Sequence, residues 1–249
     1  VNQQMIFVHK MFEVAVQHQI RHDNPCNGLR RLPQQQKEMD YYTPEQFKKF
    51  DSLFNEDEYP FQLLYRVLMY TGLRIGEALA LTWEHINLDE MYIDVKYSAY
   101  YRNGQVHIGT VKTTQSNRRI YIHKSFNEEL KKWKERQFDL LKPFTDNSKS
   151  LQIYQATPEI LTSPNVSNFR VILKKRMPKD LKLIRNHDFR HSHAAFLVSQ
   201  GLRNGEGRDY IFFTLMKRLG HSSINTTINV YSHLFPIQQQ EVASAFDNF

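Results

Sequence analysis

Six side chains in this sequence are of the types that bind a phosphate and move protons around it. Arg74 stands in Thr71-Gly72-Leu73-Arg74, between two apolar segments of helical spacing. Lys112 stands in Thr110-Val111-Lys112-Thr113-Thr114, between two strand-like runs. His187 and Arg190 are three apart where another helical pattern begins, and His221 precedes Tyr231 by ten positions. Arginine presents a planar fork of N–H donors that matches phosphate oxygens. Lysine and histidine exchange protons near neutrality once their surroundings shift them. A tyrosine hydroxyl is a weak nucleophile that needs an activating environment. Together the six form a phosphate-binding and proton-transfer set.

Each also has a plainer reading. Residues 219–231 suit an amphipathic helix whose tyrosine packs into a core. Arg74 and Glu77 suit a surface ion pair at i, i+3, worth little. On the alternative, the helix after Arg74 opens with free backbone N–H groups, an anion site, and Glu77 reaches back to orient the guanidinium. Lys112, with Arg118 and Arg119 just beyond it, suits either a solvated hairpin tip or a tip that enters a DNA groove. His187, His191 and His193 resemble a metal cluster only loosely. No carboxylate or cysteine completes a motif of known spacing, so no metal is expected.

The elements that must position these residues follow from the apolar pattern. Residues 5–20 carry a helical apolar face that ends at Asp23-Asn24-Pro25. Such a helix needs partners that its neighbourhood lacks, so residues 1–32 read as the tail of a small helical domain. Residues 33–41 read as a polar linker and 42–249 as a second domain. That domain opens on Thr43-Pro44-Glu45-Gln46, a Thr cap with Pro first and Gln third. Helices are expected at 61–70, 75–81, 125–141, 163–176, 187–200, 209–219 and 222–231, with one more at 238–246. The helix at 125 is expected to start from a capping box, Ser125 to Glu128. Three strands are expected at 91–95, 105–108 and 119–122, with Asn103-Gly104 as a hairpin turn. Residues 142–158 read as loop, and 203–208, with Gly205 and Gly207, as a mobile surface loop. The predicted class is mainly α with a small antiparallel β-sheet (α+β).

Composition bounds the rest. A chain of 249 residues makes one or two domains. Lys and Arg number 33 against 26 Asp and Glu, a net charge of +7, which favours a polyanionic partner. Cys26 is the one cysteine, which excludes an internal disulfide and a cysteine metal cluster. No apolar run approaches the roughly 18 residues of a membrane span. No secretory signal pattern opens the chain, and a cytoplasmic setting is expected. Val1 already lies in a helical pattern, so further chain is expected upstream.

Arg74 in Thr-Gly-Leu-Arg, Lys112, His187-x-x-Arg190, Leu-Gly-His221 and Tyr231 stand in an order that resembles the tyrosine recombinases of the phage integrase family. The resemblance covers about residues 42–231, and the segments 71–83 and 187–194 are similar to the family consensus. It points in particular to integrases of temperate phages and integrative elements of Gram-positive bacteria. It implies a tyrosine-recombinase catalytic domain preceded by the end of a helical core-binding domain. It further implies that Tyr231 attacks a DNA phosphodiester, forming a 3′-phosphotyrosyl link and freeing a 5′-hydroxyl. Arg74 and Arg190 would hold the phosphate, with Glu77 supporting. Lys112 would be the general acid, His187 the base and His221 a hydrogen-bond donor. Arg118, Arg119 and Lys112 would touch DNA. No cofactor or metal is implied. The implied partners are double-stranded DNA at specific attachment sites and three further copies, with exchange of the C-terminal tail 236–249. A host DNA-bending factor and an excision factor complete them, in the bacterial nucleoid. A chromosome-dimer resolving recombinase, a type IB topoisomerase-like enzyme and a catalytically inactive DNA-binding protein stay open as alternatives. The segment 201–209 departs from the family, where many members have a shorter turn.

Overall fold

The structure, a computed structural model, describes residues 2–30, 32, 39–111 and 116–235. The expectations placed on residues 33–38, on Lys112 and on the tail 236–249 with its helix lie outside the described residues. The chain divides into two units, Val1–Glu38 and Met39–Phe249.

In the first unit, helix α1 (Asn2–Gln17) has the predicted spacing and buries none of its residues. Phe7, Met11 and Val14 on it are exposed. The Asn24 side chain donates to His9 O (3.1 Å) and accepts from the Cys26 N–H (2.9 Å), which folds the following turn back on the helix.

The second unit opens with α2 (Pro44–Asp51) and the expected capping box: the Gln46 N–H donates to Thr43 Oγ1, and the Thr43 N–H to Gln46 Oε1. Helix α3 (Tyr59–Thr71) is the central rod, with Leu63, Leu64, Val67 and Leu68 wholly buried. It stops at Gly72, whose φ of +68° lies in the left-handed region that glycine adopts without strain. Helix α4 (Ile75–Leu79) follows at once and ends two residues before the predicted limit.

The β section forms two antiparallel ladders where one sheet was expected. Strands β1 (Ile86–Asn87), β2 (Tyr92–Val95) and β5 (Arg118–Tyr121) pair in the order β1-β2-β5. Strands β3 (Tyr97–Arg102) and β4 (Gln105–Thr110) make a separate hairpin. Its turn is Asn103-Gly104, with φ of +53° and +79°, the mirror-image turn that this dipeptide favours. Strand β3 was not predicted because Tyr-Ser-Ala-Tyr-Tyr-Arg does not alternate; pairing to β4 makes it a strand.

Helix α5 (Lys124–Leu141) is capped two residues earlier than predicted. His123 is its N-cap and accepts the Phe126 N–H on its ring nitrogen (3.2 Å), in place of the expected Ser125 box. The loop that follows is not a solvated one. Leu151, Ile153 and Tyr154 are buried, and three glutamines hold the backbone that surrounds them. Gln137 donates to the carbonyls of Gln152 and Gln155, and Gln152 to those of Leu79 and Leu161. Side-chain amides thus satisfy a buried backbone that has no regular partner.

Helices α6 (Ser163–Arg176), α7 (Asp188–Arg203), α8 (Arg208–Leu219) and α9 (Ile224–Tyr231) complete the described unit. Helix α7 runs on to Arg203, so only residues 204–207 separate it from α8, against the longer loop expected. The Glu206 N–H donates to Gly201 O (2.9 Å) in that turn, and Gly207 is the N-cap of α8. One apolar cluster joins α2 through α6 with the sheet and the first turn of α7. A second joins α7, α8 and α9 through Ala194, Val198, Ile211, Leu215, Leu219 and Tyr231. The unit is mainly helical with small antiparallel sheets. Among the described residues no helix is long and apolar enough to cross a membrane.

Candidate active site

The ends of α3, α7, α8 and α9 meet, and the charged side chains at those ends define the site. Arg74 is the N-cap of α4 and is 42% exposed. Its Nη1 donates to Glu77 Oε1 (2.8 Å) and its backbone N–H to Glu77 Oε2 (3.0 Å). Glu77, 3% exposed, also accepts from Arg118 Nη2 on Oε2 (2.8 Å). Burial alone would raise the Glu77 pKa, but the Arg118 and Arg74 guanidinium groups hold it below the usual carboxylate range. Arg118 is itself 6% exposed, and its Nε donates to Arg218 O (2.8 Å) and its Nη1 to Ser116 O (3.0 Å). Arg118, expected as a surface cation toward DNA, is instead turned inward in this structure. Its guanidinium ties β5 to α4 and to the end of α8. Arg119 remains at the surface, paired with Asp94 (3.1 Å) and lying 3.6 Å over the Tyr92 ring.

Arg190, in the first turn of α7, is 2% exposed. Its two terminal nitrogens each hold a helix-end carbonyl: Nη1 donates to Gly72 O (2.8 Å) and Nη2 to Leu219 O (2.6 Å). One planar fork thereby joins the C-termini of α3 and α8 to α7. Burial, with Arg74 beside it, pulls its pKa down to about 10, so it stays cationic at neutral pH. Gly72 admits this junction because a Cβ there would lie 2.7 Å from His193 Cδ2.

His193 is buried and its tautomer is set by its partners. Arg218 Nε donates to Nε2 (2.9 Å), so the proton is on Nδ1, which donates to Met69 O (2.8 Å). Burial and then Arg218 push its pKa down to about 3.

Tyr231, the last residue of α9, is 1% exposed. Burial raises its pKa, while the Arg190 and Arg74 guanidinium groups favour the phenolate. Its hydroxyl lies 3.1 Å from His191 Nδ1. The His221 ring is parallel to the Tyr231 ring, 9° between planes and 6.4 Å between centroids. His221 Nδ1 is engaged by Thr227 Oγ1 (2.8 Å), and burial, with Arg190 and Arg74, lowers its pKa to about 4. His187 caps α7 and meets His191 edge-on at 4.9 Å. Burial and Arg190 lower its pKa as well.

Five of the six sequence-predicted residues, Arg74, His187, Arg190, His221 and Tyr231, thus gather at one place. The sixth, Lys112, lies outside the described residues. The three clustered histidines diverge, His191 toward Tyr231 and His193 toward Arg218. Among the described residues no group of three or more His, Cys, Asp or Glu side chains could hold a metal ion. Sequence reasoning missed His191 as a partner of Tyr231, Thr227 as a partner of His221, and Arg218. These are tertiary contacts between helices, and no spacing along the chain announces them.

Comparison with known proteins bears on the family and the fold. The ICEBs1 integrase of Bacillus subtilis (strain 168) is 41% identical over 249 residues, covering 100% of this chain and 65% of that protein. A tyrosine recombinase XerC-like protein of Caldanaerobacter subterraneus subsp. tengcongensis is 25% identical over 263 residues, covering 97% of this chain and 64% of that protein. The chain spans a little under two thirds of the length of each. The Tn1549 transposon integrase in complex with a circular intermediate DNA has the same fold, with a TM-score of 0.75 at 18% identity. That match covers 99% of this chain and 78% of that one. Residues 41–237 match the phage integrase family as a whole, and they include every one of the six residues. The chain belongs to the phage integrase family.

Proposed function

We propose that this chain is the DNA-cleaving and rejoining part of a site-specific integrase that inserts or excises a mobile element. One observation carries the reading: a buried phenol stands beside two guanidinium groups, Arg190 and Arg74, that favour its ionised form. A phosphodiester placed against those forks would be neutralised where charge develops in the transition state. The Tyr231 oxygen then bonds to phosphorus and the bond to the 5′-oxygen breaks. The phenolic proton passes to His187, and the 5′-oxygen takes a proton from Lys112. The phosphotyrosyl ester conserves the bond energy, and the reverse attack by a 5′-hydroxyl rejoins the strand.

The remaining roles fit the same reading. Thr227 engages His221 Nδ1, which leaves Nε2–H as the donor to a phosphate oxygen. Glu77 fixes Arg74, and Arg119 contributes a surface cation toward DNA. The 41% identity to an integrase, against 25% to a XerC-like recombinase, favours integration over chromosome-dimer resolution. Residues 1–32 are then the end of a core-binding domain and 33–41 the linker. The partners are double-stranded attachment sites in the bacterial nucleoid and a homotetramer that exchanges the tail 236–249. A host DNA-bending factor and an excision factor join them.

The test is a suicide substrate, nicked so that cleavage traps the covalent complex. The wild-type chain should give a protein–DNA adduct, and Tyr231→Phe should give none while binding DNA equally well in a gel shift. An adduct from the Phe protein would assign the nucleophile elsewhere.

A further inference from the structure

The side chain hydrogen-bonded to the Tyr231 hydroxyl is His191, and neither its sequence position nor the roles assigned above use it. We propose that His191 is a positioning residue for the attacking oxygen: in the resting site its neutral imidazole accepts the phenolic O–H on Nδ1, fixing the direction of the oxygen's lone pairs until the proton is passed to His187 on attack. The proposal rests on Tyr231 being the nucleophile. Three features of the structure support it.

The first is burial of both partners, which excludes water as a substitute for either. A buried hydroxyl that loses its acceptor is left unsatisfied, so the contact selects one rotation of the O–H. The second is the rigidity of the turn that carries His191. Asp188 in that turn is wholly buried and accepts from the Arg185 backbone N–H (2.8 Å) and from Arg185 Nη2 (2.8 Å). Ser192 Oγ donates to Asp188 O (2.8 Å) and accepts the Tyr42 N–H (2.9 Å). His191 is therefore held from both sides along the chain. The third is adjacency to Arg190. The phenol's acceptor and the guanidinium fork leave the same helical turn, so one rigid element sets the nucleophile relative to the group that would bind the phosphate. Burial, then His187 and Arg190, oppose protonation of His191, and its pKa of about 4 keeps Nδ1 an acceptor at neutral pH.

The experiment measures single-turnover adduct formation on the suicide substrate at saturating protein, with DNA affinity and melting temperature measured in parallel. His191→Ala should slow adduct formation by roughly 10- to 100-fold, the scale of a misplaced reacting atom, with DNA affinity unchanged. His191→Asn places an amide oxygen near the position of Nδ1 and should restore the rate to within about fivefold of wild type. His191→Gln carries its amide at the position of Nε2 and should not. This order is specific to a hydrogen bond from the phenol, since bulk alone would rank Gln above Asn. An Ala protein within about threefold of wild type overturns the proposal, as does an Asn protein no faster than Gln. An adduct from Tyr231→Phe would overturn the nucleophile assignment and the proposal together, which separates that failure from a failure at His191.

Discussion

The titratable residues of the site fix how the protein responds to acid. His193 has a folded pKa of about 3 and His191 of about 4, both below the ordinary value near 6.5. Above that value both are neutral whether the chain is folded or not, and their contribution to stability is fully present. Below it the unfolded chain binds protons that the folded chain refuses, so stability falls with falling pH down to the folded pKa. Each histidine contributes a slope of about 1.4 kcal/mol per pH unit, and the two together remove about 4 kcal/mol between pH 7 and pH 5. Urea unfolding at pH 7, 6 and 5 should show at least this loss, since His221, with a pKa of about 4, adds to it with the same sign. His193→Gln should be less stable at pH 7, because one amide does not span both Met69 O and Arg218, but its loss on acidification should be smaller by about 2 kcal/mol, one histidine's share. Residue identity at the site was legible from type and order. Partnership was not. Arg118 reads as a surface cation beside Arg119, yet it is buried against Glu77, because the fold brings α4 and the end of α8 to it from far along the chain.

At the scale of elements, the junction between α3 and α4 depends on a residue with no side chain. Gly72 combines a φ of +68° with a Cβ position 2.7 Å from His193 and 2.8 Å from Leu219. Gly72→Ala should cost about 2–4 kcal/mol, backbone strain plus overpacking. Gly104→Ala has comparable strain, φ +79°, and open space around it, and should cost about 1 kcal/mol. Thermal unfolding of the two variants gives the comparison directly, and equal losses would mean that crowding at Gly72 relaxes away. The long helices were legible because their apolar spacing and caps agree. Strand β3 and the buried loop around Ile153 were not. The strand lacks alternation, and the loop is held by glutamine amides whose targets, Leu79 and Leu161 among them, are fixed only by the tertiary fold.

For the molecule as a whole, both buried apolar clusters lie within residues 39–249. A protein of those residues alone should therefore unfold in one cooperative transition, near the melting temperature of the 249-residue chain. If residues 1–32 belong to a core-binding domain, as proposed, its affinity for attachment-site DNA should be weaker and less steeply dependent on salt, because their phosphate contacts would be lost. Calorimetry and a salt titration of DNA binding check the two halves. Composition indicated an ordinary globular chain and favoured a polyanionic partner, while the apolar residues of the first helix stay unburied. The order of parts along the chain has a last consequence. Arg74 arrives early and Tyr231 close to the end, and the two are joined only when α7 and α8 have docked between them. A nascent unit that stops before Tyr231 therefore already carries both phosphate-facing arginines but lacks the proposed nucleophile.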